Sequence, residues 1–374
     1  MPQDDTMKAL TLVKTTGDFK PGPNCYHPAK LVDLPIPVPG EGQVLVKVLA
    51  AAFNHRDLFL RQSLYPGAVF SSDDPASPIQ HSIMGADAVG IVLTRDHPLH
   101  DQPVLVAPAV GWLKSPLGPE GDWGILGSQK QTEGRGTFAE YIVVGKDDVV
   151  AAPAHFAGRG KEGWSEAAAL PLGGLTAYRA VFTKAKVEKG ENVLITGIGG
   201  GVAITALQFC VAAGANVWVS SSSEDKIKRA VELGAKGGIN YKDAAWPKKL
   251  QSLLPSDRPF LDSVVDSGGG AIVNQVTRLL KNGGIVSCYG MTAGGDVSIG
   301  MGFVLKNAEF KGSTMGSREE FEKAVKFAAE HKIRPVVHTV LSSLEDAEEG
   351  FQLMKSGGQF GKIVINVERE KGKL

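Results

Sequence analysis

Residues 193–203 form a glycine-rich run whose residue types and spacing can bind a phosphate. The run reads VLITGIGGGVA and lies between a short apolar segment and a helix-forming one. Glycines let the backbone approach a pyrophosphate closely, and the amides at the positive end of the following helix stabilise its charge. The frame is G-x-x-G-x-x-A, which departs from strict G-x-G-x-x-G. In this context the turn predicts a dinucleotide site formed by Gly197, Gly200, Gly201 and Val202.

The next apolar run ends in serines, VSSSSEDK, where an NAD enzyme usually has an acid. Ser221 and Ser222 occupy that place, and their hydroxyls can donate to a 2′-phosphate that a carboxylate would repel. Lys226 lies one helical turn later, and Tyr241 is expected to flank the adenine or the phosphate. We therefore predict NADP(H). Two acidic residues directly after the serines keep NAD(H), with a merely solvated serine turn, as the alternative.

The elements that must position these residues change along the chain. Up to about residue 150 the sequence is rich in Pro and Gly, with short β-like runs such as KALTLV, GQVLVKVLAAAF, AVGIVLT and TFAEYIVV. From Asn192 onward, short apolar runs alternate with helix-like ones, which predicts a doubly wound parallel sheet. One of these predicted helices covers AIVNQVTRLLKNG, residues 271–283. The fold class is therefore α/β with an additional all-β module.

Composition limits the kinds of partner. With 374 residues, of which 43% are apolar and 21% charged, the chain can bury a large core and suggests two or three domains. Lys plus Arg equals Asp plus Glu at 40 each, so no global field attracts nucleic acid or an anionic membrane, and a small-molecule substrate is expected.

The cysteines and the chain start favour the cytosol. Three scattered cysteines form neither a disulfide framework nor a zinc knuckle, which fits a reducing compartment. The first residues are acidic, unlike a signal peptide, and no run approaches the ~18 apolar residues of a membrane helix. We expect a cytoplasmic protein.

Seven segments, in order and spacing, resemble the medium-chain dehydrogenase/reductase superfamily, and most closely its zinc-independent quinone oxidoreductase branch and zinc-type alcohol-dehydrogenase-like proteins. They are GQVLVKVLAAAFNHRDLFLRQSLYPG, GADAVGIV, GTFAEYIVV, EAAALPLGGLTAYRAVF, VLITGIGGGVA, KRAVELGAKGGINY and FGKIVI. The resemblance implies a GroES-like β-barrel catalytic domain over 1–165 and a Rossmann NADP(H) domain over 166–314. It further implies a C-terminal segment, 315–374, that completes the catalytic domain, an active site in the cleft between the domains, and a homodimer or tetramer, of which we expect the homodimer.

The resemblance also predicts that zinc is absent. Zinc members of the superfamily hold the catalytic metal at places that correspond here to Asn54, Ala86 and Leu172, none of which is a usual zinc ligand. The loop 111–134, where a structural zinc lobe would lie, has no cysteine. Asp87, beside Ala86, is expected to be a structural hydrogen-bonding residue rather than a catalyst.

These features predict the reaction. Without a Lewis acid to lower the pKa of an alcohol, hydride transfer to an electron-poor acceptor needs least from the protein. We predict a zinc-independent oxidoreductase that transfers hydride from NADPH to a quinone, an enone or another activated carbonyl compound. An alcohol or aldehyde dehydrogenase and a cofactor-binding protein without catalysis are the alternatives.

The resemblance assigns residues to the catalytic side. Asn54 is expected to hydrogen-bond the substrate oxygen or the nicotinamide ribose, and Asp57 to orient the loop around it. His55 and Arg56 are candidates for a general acid or an anion contact, with a loop residue or a ribose and phosphate contact as the alternative for each. The wall of an apolar substrate pocket is expected at Phe59, Leu64 and Tyr65.

Further cofactor contacts are expected at the carboxyl ends of the parallel strands, where such sheets bind ligands. Thr176 is assigned to the nicotinamide end. Lys362 is assigned to a cationic contact near the cofactor phosphates, with a surface lysine as the alternative. The strand-end residues are Gly268, Tyr289, Gly290, Ser313 and Thr314.

Overall fold

The computed structural model describes residues 6–17, 19–292 and 296–368, and the chain divides into two compact units. The first takes the described parts of Met1–Leu172, Ser317–Ala329 and Val337–Leu374. The second takes those of Gly173–Gly316 and Glu330–Val336. None of the described helices is long and apolar enough to cross a bilayer.

The strands β1 to β17 span, in chain order, Thr6–Leu12, Ala29–Pro35, Gln43–Ala52, Asp87–Val92, Pro103–Val106, Ala109–Val110, Gly124–Ile125, Tyr141–Gly145, Val149–Ala151, Asn192–Ile195, Asn216–Ser221, Gly237–Asn240, Leu261–Asp266, Leu280–Cys288, Glu309–Gly312, Val337–Leu341 and Lys362–Asn366.

The α-helices α1 to α10 span His55–Arg61, Gly160–Ala168, Pro171–Tyr178, Gly201–Ala212, Glu224–Glu232, Trp246–Leu253, Ile272–Val276, Met301–Leu305, Arg318–Glu330 and Ala347–Ser356. A π-helical turn, Arg179–Lys184, continues α3, and 3₁₀ turns cover Lys130–Thr132 and Leu344–Asp346.

The first unit is built on a seven-stranded sheet in the order β16-β17-β3-β4-β5-β9, in which β8 also pairs with β3. β3 is antiparallel to both β4 and β17, with Ala52 opposite Asp87 on one side and opposite Val364 on the other. The end of β3 therefore meets the starts of β4 and β17. This register brings Asn54, Asp87 and Lys362 to one edge of the sheet.

The second unit is a six-stranded sheet in the order β12-β11-β10-β13-β14-β15, and every pairing is parallel. The apolar strands β10 and β13 are buried along their whole length, as expected for strands covered on both faces. The doubly wound parallel sheet predicted from the alternating pattern is present.

Some boundaries differ from those predicted. The helix expected over 271–283 ends at Val276, and the chain enters β14 at Leu280, because Leu279 and Leu280 pack into the core of the second unit. The units change at 172/173 and 316/317, against predicted boundaries at 165/166 and 314/315. The short segment 330–336 also belongs to the second unit.

Candidate functional site

Three polar side chains meet where β3 ends and where β4 and β17 begin. The Lys362 Nζ donates to Asn54 Oδ1 at 2.6 Å and to Asp87 Oδ2 at 2.7 Å, across 308 and 275 positions of sequence. The Asn54 Nδ2 donates to Asp87 Oδ2 at 2.9 Å. Only 6% of Lys362, 8% of Asn54 and 0% of Asp87 is exposed. We call Asn54, Asp87 and Lys362 the ammonium cluster.

Backbone groups fix the orientation of this cluster. The Leu172 amide donates to Asp87 Oδ1 at 2.6 Å. Asn54 is the N-cap of α1, and its own amide donates to Asp57 Oδ2 at 2.8 Å in a capping box. Asp87 and Asp57 therefore accept hydrogen bonds that orient the residues around them.

The family's zinc does not fit this place. The three positions assigned to zinc ligands offer the amide of Asn54, the methyl of Ala86 and the apolar side chain of Leu172, and zinc requires thiolate, imidazole or carboxylate. Of the carboxylates beside them, Asp87 is paired with a buried ammonium, whose charge opposes a second cation, and Asp57 accepts from the Asn54 backbone amide. Within the described ranges, no three His, Cys, Asp or Glu side chains group so as to hold a metal ion.

The two titratable neighbours on α1 have shifted pKa values. Solvent reaches His55, yet desolvation by the surrounding protein, and then the charge of Lys362, lower the pKa of its imidazole below 6.5. His55 is therefore mostly neutral at pH 7. Complete burial raises the pKa of Asp57 to about 6, although the Arg56 guanidinium acts in the opposite direction.

Arg56 is a structural residue in this fold. Its side chain is buried, and its guanidinium donates to Leu126 O at 2.7 Å and to Gly127 O at 2.9 Å. The Tyr65 ring lies 4.9 Å from the guanidinium carbon. These contacts hold the loop after β7 and favour the alternative of a loop residue, while the role of Arg56 as a general acid or anion contact stays a prediction.

The predicted pocket residues follow His55 on or after α1. The Phe59 ring packs edge-on against the His55 imidazole, with 5.7 Å between centroids. Phe59 and Tyr65 are half-buried, and Leu64 is exposed. Their role as a substrate-pocket wall stays a prediction.

The glycine turn of the second unit has the geometry that a pyrophosphate requires. Gly197 and Gly199 have φ values of 64° and 134°, which favour glycine. Gly200 is the N-cap of α4, which has no side-chain cap, and a Cβ built on Gly200 meets no atom within 4 Å. Open space therefore lies beside Gly200, at the N-terminus of α4. The residues present fit the phosphates of a dinucleotide.

The predicted 2′-phosphate residues lie beside this turn. A Cβ on Gly199 would come within 2.9 Å of Lys226 Cδ, so the lysine side chain covers the turn. Burial and the nearby charge of Arg229 lower the pKa of Lys226. Arg229 is a second cation that our sequence reasoning missed, although the i, i+3 spacing on α5 was a usable signal.

The hydroxyls of Ser221 and Ser222 differ in how available they are to donate to a ligand. The Ser221 Oγ accepts from the Ser223 amide at 3.2 Å and so belongs to the turn itself. The half-buried Ser222 is better placed to donate to a ligand. Tyr241 donates its amide to Ser221 O at 3.1 Å, while about half of its side chain is exposed.

Asp266, at the end of β13, organises the strand-end loops and was missed from the sequence. It accepts from Thr196 Oγ1 at 2.6 Å and from the amides of Gly268 and Gly269 at 3.1 and 2.8 Å. Its carbonyl accepts from the Tyr289 amide at 2.9 Å, which fixes the start of the Tyr289–Gly290 loop. The carboxylate thus shapes the edge where the predicted nicotinamide contacts lie.

A buried hydroxyl supports ligand binding at this edge. Ser313 Oγ has no hydrogen-bond partner within the part of the chain that the structure describes. A buried polar atom of this kind commonly awaits a ligand or a water molecule. The exposed Thr314 follows it, and Thr176 is buried with its Oγ1 3.7 Å from Met315 Sδ. The edge therefore fits the polar end of a nicotinamide cofactor.

Comparisons with known proteins agree with this architecture. Residues 40–154 match the family model described as the alcohol dehydrogenase GroES-like domain, and residues 201–330 match the model described as zinc-binding dehydrogenase. The fold class is thereby confirmed as a GroES-like β-barrel unit with a Rossmann parallel-sheet unit.

Individual relatives match over most of their length. The zinc-type alcohol dehydrogenase-like protein YogA of Leptosphaeria maculans is 41% identical over 361 residues, covering 92% of this chain and 96% of the relative. An acryloyl-coenzyme A reductase of Sulfurisphaera tokodaii is 27% identical over 92% of this chain and 98% of its own. The crystal structure of an NAD-dependent alcohol dehydrogenase is 30% identical, with a TM-score of 0.78 over 96% of this chain and all of that one.

Proposed function

The chain belongs to the medium-chain dehydrogenase/reductase superfamily, and we propose that it is a zinc-independent reductase that transfers hydride from NADPH to a quinone, an enone or another activated carbonyl compound. Membership makes it an oxidoreductase that uses a nicotinamide cofactor. The observation that carries the finer proposal is the ammonium cluster, which contains Asn54 and adjoins Ala86 and Leu172, the three positions assigned to the zinc ligands of zinc members.

The ammonium cluster favours reduction of an electron-poor acceptor. Oxidation of a simple alcohol requires removal of the hydroxyl proton, which zinc promotes by coordinating the alkoxide, and a lysine ammonium neither coordinates an alkoxide as zinc does nor accepts that proton. Reduction of a conjugated carbonyl needs mainly orientation and a donor for the oxygen. The acryloyl-coenzyme A reductase relative supports including α,β-unsaturated thioesters among the acceptors.

The second unit supports NADPH over NADH. When bound, the reduced nicotinamide supplies the hydride. The glycine turn and the start of α4 would hold the pyrophosphate, and Ser313 would meet the nicotinamide end. Ser222, Lys226 and Arg229 would hold a 2′-phosphate. The similarity to an NAD-dependent enzyme keeps NADH as the competing cofactor.

Consumption of NADPH, with NADH in parallel, tests the function directly. The panel contains quinones, enones, unsaturated thioesters and aldehydes, and the reverse assay contains simple alcohols with NADP⁺. We expect turnover of at least one electron-poor acceptor with a preference for NADPH. Tight NADPH binding without reduction of any acceptor would favour a cofactor-binding protein without catalysis.

Metal analysis of the same preparation tests zinc independence. We expect zinc far below one equivalent and unchanged turnover after incubation with a chelator. Stoichiometric zinc, together with turnover of simple alcohols, would instead identify a zinc-dependent dehydrogenase. We further propose that the enzyme works as a cytosolic homodimer.

A further inference from the structure

The ammonium of Lys362 has one more donor than the protein satisfies. A lysine ammonium carries three N–H groups. Two of them reach Asn54 and Asp87, and no third acceptor lies among the described residues. Only 6% of Lys362 is exposed to solvent. A charged donor that is almost completely buried is expected to be satisfied by a ligand or a water molecule.

Asn54 and Asp87 hold the Lys362 Nζ in a defined position. The Asp87 carboxylate takes the Leu172 amide on one oxygen and both Lys362 and Asn54 on the other. The two hydrogen-bond partners determine which way the Asn54 side-chain amide points. Its oxygen accepts from the Lys362 ammonium, and its nitrogen donates to the Asp87 carboxylate. The Asp87 carboxylate and the Asn54 amide oxygen therefore fix the position of the Lys362 Nζ without using all of its donors.

Other charges around the cluster favour a ligand oxygen that gains negative charge. His55, whose pKa the Lys362 charge helps to lower, is mostly neutral at pH 7. Arg56 is bound to two backbone carbonyls, and the Asp57 carboxylate is occupied by the Asn54 amide and by Arg56. The Lys362 ammonium is therefore the cation best placed to meet an oxyanion.

Resting on the function proposed above, we propose that Lys362 is a catalytic residue whose remaining N–H binds the carbonyl oxygen of the hydride acceptor. Bound NADPH would supply the hydride to the acceptor carbon and leave as NADP⁺, so that the electron pair of the conjugated π system would move to the carbonyl oxygen. Lys362 stabilises that oxyanion through a charge-assisted hydrogen bond, and a proton from water completes the reduction.

Binding of 4-nitrophenol tests this oxyanion site without turnover, because the phenol and the phenolate have different absorption spectra. The full-length protein is titrated with the probe across pH, with and without NADP⁺, to give the ratio of phenolate to phenol affinity. We expect the wild type to prefer the phenolate by at least about tenfold, as a charge-assisted hydrogen bond should.

Four variants assign the preference. Lys362→Met in an Asp87→Asn background removes the ammonium without leaving a buried carboxylate unpaired, and should abolish the phenolate preference. Asp87→Asn alone should keep or increase it, because the opposing negative charge is gone. Lys362→Arg should retain part of it. Lys47→Met, which removes an exposed lysine paired with Glu368 in the same unit, should match the wild type.

A phenolate preference that survives in the Lys362→Met/Asp87→Asn variant would overturn the proposal, as would a wild type that shows no preference or no binding. With an active acceptor, the same double variant should lower kcat about 100-fold or more. A phenolate preference that depends on Lys362, without turnover of any acceptor, would support the oxyanion site while contradicting the proposed reaction. Turnover of an acceptor without a phenolate preference would support the proposed reaction while contradicting the oxyanion site.

Discussion

At the scale of single residues, burial and the neighbouring Arg56 charge have opposite effects on the pKa of Asp57. Burial raises its pKa from 3.8 to about 6, so the folded protein binds a proton between these values that the unfolded chain releases. The carboxylate therefore lowers stability progressively as pH rises from about 4 to 6, and fully above that range. We expect the stability of Asp57→Asn, relative to wild type, to increase by roughly 2 to 3 kcal/mol across this range, at about 1.4 kcal/mol per pKa unit.

Urea unfolding at pH 4, 5, 6 and 7 measures this difference. Asp73→Asn, which removes an exposed carboxylate of the same unit, is measured in parallel as the matched control. Parallel stability curves for Asp57→Asn and wild type would show that Asp57 titrates normally in the folded protein.

Ser222 is the residue at which we expect the proposed preference for NADPH to be reversible. It directly follows β11, in the same turn as Ser221 and before Lys226 on α5. A carboxylate there would repel a 2′-phosphate and accept from a 2′-hydroxyl. Ser222→Asp should therefore weaken NADPH binding roughly tenfold or more, a loss of about 1.4 kcal/mol, while NADH binding stays equal or improves.

Fluorescence titration with both cofactors gives the two Kd values, and Ser256→Asp, at an exposed turn of the same unit, controls for added charge. Equal weakening of both cofactors would place the 2′-phosphate elsewhere.

At the scale of elements, a carboxylate organises the loop that has no cysteine lobe. Glu120 accepts from the amides of Leu113, Lys114 and Ser115 at 2.8, 2.9 and 2.6 Å, and these hydrogen bonds lower its pKa to about 2. Trp112 and Trp123 pack edge-to-face beside it, 6.2 Å apart. Successive amides around one anion form the kind of nest that also binds phosphates.

Glu120→Ala should loosen this loop and leave the remainder of the unit intact. We expect amide hydrogen exchange at residues 113–115 to accelerate by at least about tenfold, because their acceptor is lost. In the wild type, protection should persist to about pH 3, since the carboxylate stays charged down to its pKa. Asp122→Ala, at an exposed position of the same loop, is the control. Unchanged exchange would mean that the tryptophan pair orders the loop by itself.

How much the sequence predicts depends on the element. Short apolar runs between helix-like runs predicted the parallel strands β10, β11, β13, β14 and β15. These strands are predictable because the signal is local: each apolar run is short and is bounded by turn residues. The ammonium cluster was not predicted. Asn54, Asp87 and Lys362 meet only through the antiparallel register of β3 with β4 and β17, and no local pattern specifies that register.

At the scale of the whole molecule, the second unit has an unpaired sheet edge beside exposed apolar side chains. β15 ends the described six-stranded sheet. On the neighbouring α8, Met301, Val304 and Leu305 share a face at i, i+3, i+4 spacing and are 69%, 59% and 75% exposed. Contiguous apolar surface and a free strand edge are both features that a monomer usually covers. We expect a second copy of the chain to cover them, as the predicted homodimer requires.

Leu305→Glu tests this surface, because it places a charge at the centre of the expected contact. Sedimentation or light scattering should give the wild type twice the 39.5 kDa mass of one chain, and the variant a single chain mass at micromolar concentration. Leu253→Glu, at an exposed apolar position on α6 of the same unit, should remain dimeric. If Leu305→Glu keeps the dimer while Leu253→Glu loses it, the contact lies on the α6 side of the sheet rather than at the β15 edge.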